Sequence, residues 1–240
     1  GKVSITDDTA LLTPAGDRLP LNVNSTLLVA GTGGDSRLGA GGNGGGLGTG
    51  ALGSSVDSTT GLSATTASIE IIQPADEFSQ SVVALLGASG GSGFTQGGRG
   101  GAISGLSAGY ASGATVLGGT YNLRGGEGGS ALLGAGGSGG SLANFFTQTG
   151  RNFTAGDGGN GMTGGSGGSI QPNTASGQSS NQSSLVTAAT GRGGDGITAG
   201  GQGGEITGLV SEFLALVQGQ GGFMSFSTGD GGDAVAGRAG

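Results

Sequence analysis

The 240 residues contain no cysteine, no histidine and no tryptophan. Without cysteine there is no disulfide, thiolate nucleophile or sulfur-ligated metal site. With histidine also missing, Ser, Thr, Lys and the carboxylates are the remaining groups for catalysis. Aromatic residues make up 4% of the chain, too few to suggest a platform for stacking bases. Eight Lys and Arg are scattered among fifteen Asp and Glu, and the net charge of −7 disfavours nucleic acid, whose phosphates need clustered cations. No window approaches the length of apolar sequence that spans a bilayer as a helix, and no charged-then-apolar leader opens the chain. The absence of cysteine fits a reducing cytosol and a cysteine-poor microbial surface alike. Because the sequence starts at Gly1, upstream residues are expected to have been removed or not included, a secretion signal among the possibilities.

Glycine is abundant, with 64 residues against 4 prolines, a level that signals low complexity when no period accompanies it. Here a period exists. The stretch GRGGDGITAGGQGGEI (191–206) has relatives in GTGGDSRLGAGGNGGGL (31–47), GASGGSGFTQGGRGGAI (87–103) and RGGEGGSALLGAGGSGGSL (124–142). Two more are GDGGNGMTGGSGGSI (156–170) and GDGGDAVAGRAG (229–240). Each has a Gly-Gly pair, a spacer, a GG-x-GG core, one free position and an aliphatic residue, except that the last stops where its core should finish. After the first pair stand Asp35, Ser92, Glu127, Asn160, Asp195 and Asp233. The middle of GG-x-GG is Asn43, Arg99, Ser138, Ser166 and Gln202, and two residues past the core sit Leu47, Ile103, Leu142, Ile170 and Ile206. A scrambled glycine-rich chain would not keep Leu or Ile in that column, so the columns are a register.

Glycine at this spacing suits neither a helix nor a central strand, since each residue costs backbone entropy and packs nothing. A spacing of three matches polyproline II, with about 3 residues per turn and a ~3.1 Å rise. In that geometry side-chain-free faces let neighbouring backbones hydrogen-bond, as buried N–H and C=O groups require. The expected fold is one elongated repeat domain over 1–240, mostly β and extended, with little helix. It would be a solenoid of about six coils, each a polyglycine II-like segment flanked by short strands, and 48–86 would be the longest insertion.

Period-2 alternation predicts strands at 2–6 (KVSIT), within 21–30 and at 68–72 (SIEII). The segment 76–86 reads equally as a helix after Pro74-Ala75-Asp76-Glu77 or as a strand feeding the next block, and 209–217 (LVSEFLALV) as a helix or a buried strand. The connectors 103–123, 142–154 and 170–190 each have an aliphatic start, a polar middle and a return run. Joined end to start, the chain reads GDGGDAVAGRAGGKVSI, with Val3 in the aliphatic column and Arg238 replacing a glycine. Gly1, Lys2, Val3, Gly237, Arg238 and Gly240 would then form an assembly seam. One subunit's residues 1–5 would complete the next one's last coil, or the chain is one period of a tandem array, or a processing boundary falls at a repeat edge.

Other chemistry is thinly supported. Leu27 to Gly34 runs strand-to-glycine as in a dinucleotide loop, but more glycine follows instead of the helix N-terminus that holds a pyrophosphate. Asp35, Glu127, Asp195 and Asp233 are candidates for calcium, which wants several oxygens; each stands alone in its block, and Asx-type bonding to a nearby turn N–H explains the column without metal. Glu70 with Asp76 and Glu77, or Glu205 with Glu212, form the acidic pairs a glycosidase would need, with nothing in their spacing to select them. The triplets at Asn24, Asn152 and Asn181 are glycosylation sequons. No catalytic residue and no cofactor are assigned.

The text GAGGNGG at 39–45 resembles the glycine-rich repeat proteins of mycobacterial surfaces, and the GG-x blocks are similar to phage tail-fibre adhesins and snow flea antifreeze proteins. The resemblance implies a bundle of polyglycine II helices and covers about a third of the chain; the long aliphatic connectors depart from all three. The leading expectation is a non-enzymatic structural protein of an extracellular or cell-surface filament, sheath or layer, whose partners are other copies of itself. The alternatives are an adhesin using connectors such as 145–153 or 213–226, and an ice-binding protein.

Overall fold

The structure, a computed structural model, describes residues 3–6, 25–48, 69–73, 81–110, 119–147, 152–172, 186–208 and 224–236. Among them are thirteen strands and no helix. Six form one sheet in the order β13 (Met224–Ser227), β11 (Val186–Ala189), β8 (Asn152–Thr154), β6 (Gly119–Arg124), β4 (Ser81–Leu86), β2 (Ser25–Val29). Five form a second, in the order β1 (Val3–Thr6), β3 (Ile69–Gln73), β5 (Ile103–Tyr110), β7 (Leu142–Thr147), β10 (Ile170–Pro172). The short pair β9 (Gly161–Thr163) and β12 (Gly196–Ala199) forms a third. Every strand pairing is parallel.

Residues 81–86 (SVVALL) are a strand, which decides between the two readings of that segment. Two β-branched valines disfavour helix and suit a pleat with partners on both edges, β2 and β6. Residues 74–80 and the run 209–217 lie outside the described residues.

Each strand of the six-stranded sheet runs into a glycine block, and blocks leave into the other sheet, as β4 does through 87–102 into β5. The apolar side chains of these strands and their ends make the core. Val83, Leu85, Tyr121, Leu123, Phe153 and Ala188 of the first sheet cluster with Ile103, Leu106, Leu142, Phe145 and Ile170 of the second, all 3% exposed or less. Each large member contributes about 1.5–3 kcal/mol by burial. The column Leu47, Ile103, Leu142, Ile170, Ile206 is continuous across the sheet, each residue opposite the next.

Ile103 and Leu106 lie three apart, as do Leu142 and Phe145, a spacing that puts residues on opposite faces of a regular strand. All four are nevertheless buried. The intervening Gly105 (φ 69°) and Asn144 (φ 51°) are left-handed, and the pairing passes from Ser104↔Ala143 to Leu106↔Phe145 without them. The extra residue re-aims the strand, as a bulge does; asparagine is the side chain that best tolerates this conformation.

Val3 is opposite Ile69, and Ile69 is opposite Leu106. Val3 is therefore level with a position three residues beyond the aliphatic column, not in it. The register instead aligns Val3 and Ile5 with Ile69 and Ile71, the β-branched residues of the adjoining strand. Gly1, Lys2, Gly237, Arg238 and Gly240 lie outside the described residues.

Candidate functional site

Inside the blocks, hydrogen-bond direction repeats every three residues. In the outgoing half of 87–103, the N–H groups of Gly87, Gly90 and Gly93 donate to Arg124, Glu127 and Ser130 in the following block. Those of Ala88 and Gly91 donate to Gly45 and Gly42 in the preceding one. That of Ser92 points outward. On the return, Gly98 and Gly101 donate back to Gly91 and Ala88 of their own outgoing half, while Gly97 and Gly100 donate onward to Ala135 and Ser138. A three-residue period of this kind is the mark of polyproline II backbone.

The glycines follow the same division. A Cβ on Gly90, Gly128, Gly158 or Gly193 would strike the carbonyl of the chain's own return half. One on Gly91, Gly129, Gly159, Gly194 or Gly232 would strike the carbonyl of the previous member of that column, from Gly34 through Gly194. The third position faces solvent and carries most of the side chains within the blocks; near the strand exits the other positions also hold small buried ones, at Ala88, Ala155 and Thr190.

That outward position is where the polar column stands. Asp35 Oδ1 accepts the N–H of Ser92 at 2.7 Å, Asn160 Oδ1 that of Asp195 at 2.8 Å, and Asp195 Oδ1 that of Asp233 at 3.0 Å. A parallel row three residues earlier has Asp157 Oδ1 accepting the N–H of Arg192 at 2.7 Å. On the return halves Asn43 Oδ1 accepts the N–H of Arg99 at 2.9 Å, and Ser141 Oγ that of Ser169 at 3.0 Å. The side chain of one block thus satisfies the remaining amide of the next. This corrects the expectation of a sequence-local Asx turn: the Asp and Asn acceptors lie 35 to 57 residues from their donors.

Glu127 does not belong with Asp35, Asp195 and Asp233. The N–H of Gly90 donates to the Glu127 carbonyl and that of Gly93 to the Ser130 carbonyl, so Ser130 stands beside Ser92 and Glu127 beside Ser89. Glu127 instead pairs with Arg124 at 2.8 Å, both side chains more than half exposed. The four calcium candidates are therefore not one row. Among the described residues no three His, Cys, Asp or Glu are grouped as a metal site would require.

Of the acidic pairs, Glu205 is exposed, its N–H donating to Ser169 Oγ at 3.2 Å, and Glu70 lies in β3; Asp76, Glu77 and Glu212 lie outside the described residues. No helix follows Leu27 to Gly34, whose glycines enter the block-to-block hydrogen bonding instead. Asn152 is tied into a row across the six-stranded sheet: its Nδ2 donates to Asn122 Oδ1 and its Oδ1 accepts from Thr187 Oγ1, both at 2.8 Å. Asn24 and Asn181 are outside the described residues. Phe145 and Phe153, the two ends of the connector 145–153, are buried between the sheets and offer no recognition surface themselves; 148–151 and Phe213 lie outside the described residues.

The sequence columns overlooked the turns between the two halves of each block. Leu38, Leu132, Leu133, Ile197 and Val235 sit there, 48% to 89% exposed. Their irregular spacing hid them. An open groove of about 300 Å³ runs over the outer face where strands become glycine blocks, floored by backbone and edged by Val29, Leu86, Arg124 and Glu127.

No family model matches the chain, and no curated protein matches it. Among solved structures it is similar to a springtail antifreeze protein from Granisotoma rainieri, a nine-helix polyproline type II bundle whose crystal waters match the ice lattice. The two are 25% identical over 62% of this chain and 93% of that one, with a TM-score of 0.25.

Proposed function

We propose that the chain is a non-enzymatic structural repeat protein of an extracellular filament, sheath or surface layer. It is a flattened solenoid of about six coils, each a polyglycine II-like outgoing and return pass flanked by strands. The observation that carries this reading is the glycine column Gly91, Gly129, Gly159, Gly194, Gly232, in which each member lies against the backbone of the one before. A fold whose every coil is a template for the next suits extension, and its outward side chains serve as hydrogen-bond partners for neighbouring coils rather than converging on a reaction centre.

Sedimentation and electron microscopy at rising concentration test the reading. Elongated particles that lengthen with concentration are expected; a strictly monomeric particle at every concentration overturns self-assembly. A second reading, a binding module, is favoured by the exposed apolar side chains at the block turns, and it requires that Leu38→Ser and Val235→Ser weaken capture of a target without lowering the melting temperature. Ice binding asks for a flat, regular outward row. The return column Asn43, Arg99, Ser138, Ser166, Gln202 varies in size and charge instead, and a thermal-hysteresis assay decides that case.

A further inference from the structure

The two outermost passes of the six-stranded layer are complementary. Gly34 begins the glycine column, and a Cβ built on it meets nothing within 4 Å, whereas at the five later members the same position is filled by the preceding carbonyl. The carbonyls of Thr32 and Asp35 likewise receive no hydrogen bond among the described residues. Their counterparts all do: Ser89 and Ser92 from Gly33 and Ser36, Asp157 and Asn160 from Gly128 and Ala131, Asp230 and Asp233 from Gly193 and Gly196.

At the opposite edge the deficit is reversed. Gly193 and Gly196 donate onward, but the equivalent N–H groups of Gly231 and Ala234 find no acceptor among the described residues. Asp233 gives its own N–H to Asp195, yet neither its carboxylate nor that of Asp230 accepts a bond there. Free acceptors and an open glycine face one way, and free donors with carboxylates face the other, in the same register.

We infer that a second copy of this chain docks its 227–234 pass on the 29–36 pass of the first, parallel and in the coil-to-coil register. Gly231 and Ala234 donate to the carbonyls of Thr32 and Asp35. The carboxylates of Asp230 and Asp233 accept the N–H groups of Thr32 and Asp35, and the carbonyl of Gly232 closes on Gly34. β13 joins β2 with Ser227 opposite Val29. The contact is head-to-tail and repeats the step that relates successive coils, so it adds copies to an open array unless that step closes into a ring, and it covers the β2 and β13 edges, which have no strand partner on that side among the described residues. It deepens the structural reading above and rests on it, and it places the seam on described residues of the outgoing passes.

Engineered cysteines read this register directly, since the chain has none of its own. Neighbouring strands lie about 4.8 Å apart, within the Cα separation that a disulfide spans. Thr32→Cys mixed with Asp230→Cys should give oxidised dimers, and the doubly substituted chain a ladder of multimers. Thr32→Cys alone, or mixed with Asp233→Cys, should cross-link at least about tenfold less. Gly34→Val should abolish assembly in sedimentation while leaving the melting temperature of the monomer unchanged. Assembly without preferential in-register cross-linking overturns this interface and leaves the structural function standing; absence of any assembly overturns both. A melting temperature lowered by Gly34→Val as far as by Gly194→Val means that the chain's own residues fill the face, and that also overturns the proposal.

Discussion

The rings of Phe145 in β7 and Phe153 in β8 lie 4.9 Å apart between centroids and are tilted by 58°. They belong to different sheets, so the contact joins the two layers on either side of one connector. Tilted pairs at this separation contribute about 0.5–1.5 kcal/mol beyond the area they bury. Phe153→Ala should therefore cost about 3–5 kcal/mol, and Phe153→Leu considerably less. In a double-mutant cycle with Phe145→Ala, denaturant unfolding should show coupling of about 1 kcal/mol; independent effects would mean that the rings do not hold the sheets together.

Thr190 is the buried polar residue at which a strand of the six-stranded sheet enters its glycine block. Its Oγ1 donates to the carbonyl of Gly204 at 2.8 Å and accepts the N–H of Gly229 at 2.6 Å, linking two neighbouring blocks. Thr190→Val keeps the volume and strands both partners, which should cost about 2 kcal/mol. Thr190→Ser should recover most of it, because the hydroxyl is what matters. Thermal melts of the two variants check this, and equal melting would remove the role assigned to the hydroxyl.

Asp195 both gives and takes in the outward row, donating to Asn160 and accepting from Asp233. Since asparagine already performs the accepting role at position 160, Asp195→Asn should be nearly neutral. Asp195→Ala should cost about 0.5–1 kcal/mol, the scale of one exposed bond. A calcium site predicts a different pattern, with Asn as damaging as Ala and a calcium-dependent melting temperature. Melts with and without calcium separate the two.

Most of the lateral register was legible in the sequence because the GG-x period is rigid: Leu47 to Ile206 and Asn43 to Gln202 are rows in the structure as they are in the text. The register slipped at Glu127. The stretch GGEGGS offers two Gly-Gly pairs three residues apart, and only the bonds of Gly90 and Gly93 show which one starts the block. The fate of Phe145 was also hidden, since a strand pattern puts it on the face opposite Leu142 until Asn144 turns left-handed. The ladder of side chains to amides was half visible. Short polar residues were evident, but their partners are supplied by a block 28 to 57 residues away, which no local rule reaches.

Gly165 and Ser166 are adjacent in sequence and opposite in consequence. A Cβ on Gly165 would enter the carbonyl of Gly137, and the N–H of the same residue already donates to Gly159 at 2.8 Å, so neither rotation nor retreat is open to it. Gly201 repeats the arrangement against Gly165 itself. What blocks the new side chain is backbone held by its own hydrogen bonds, and no flexible side-chain tip can yield. Gly165→Val and Gly201→Val should therefore exceed the usual 1–3 kcal/mol of overpacking and either unfold the protein or lower its melting temperature by more than about 10 °C. Ser166 is exposed, and Ser166→Ala should stay within about 0.5 kcal/mol. Hydrogen exchange sharpens the comparison: slow amides at Gly159, Gly165, Gly194 and Gly201 in the native chain, lost together in the valine variants, are expected if the glycines are packed. Exchange as fast as in a free peptide, with equal melting for all three variants, would mean that the blocks are only tethers between the sheets.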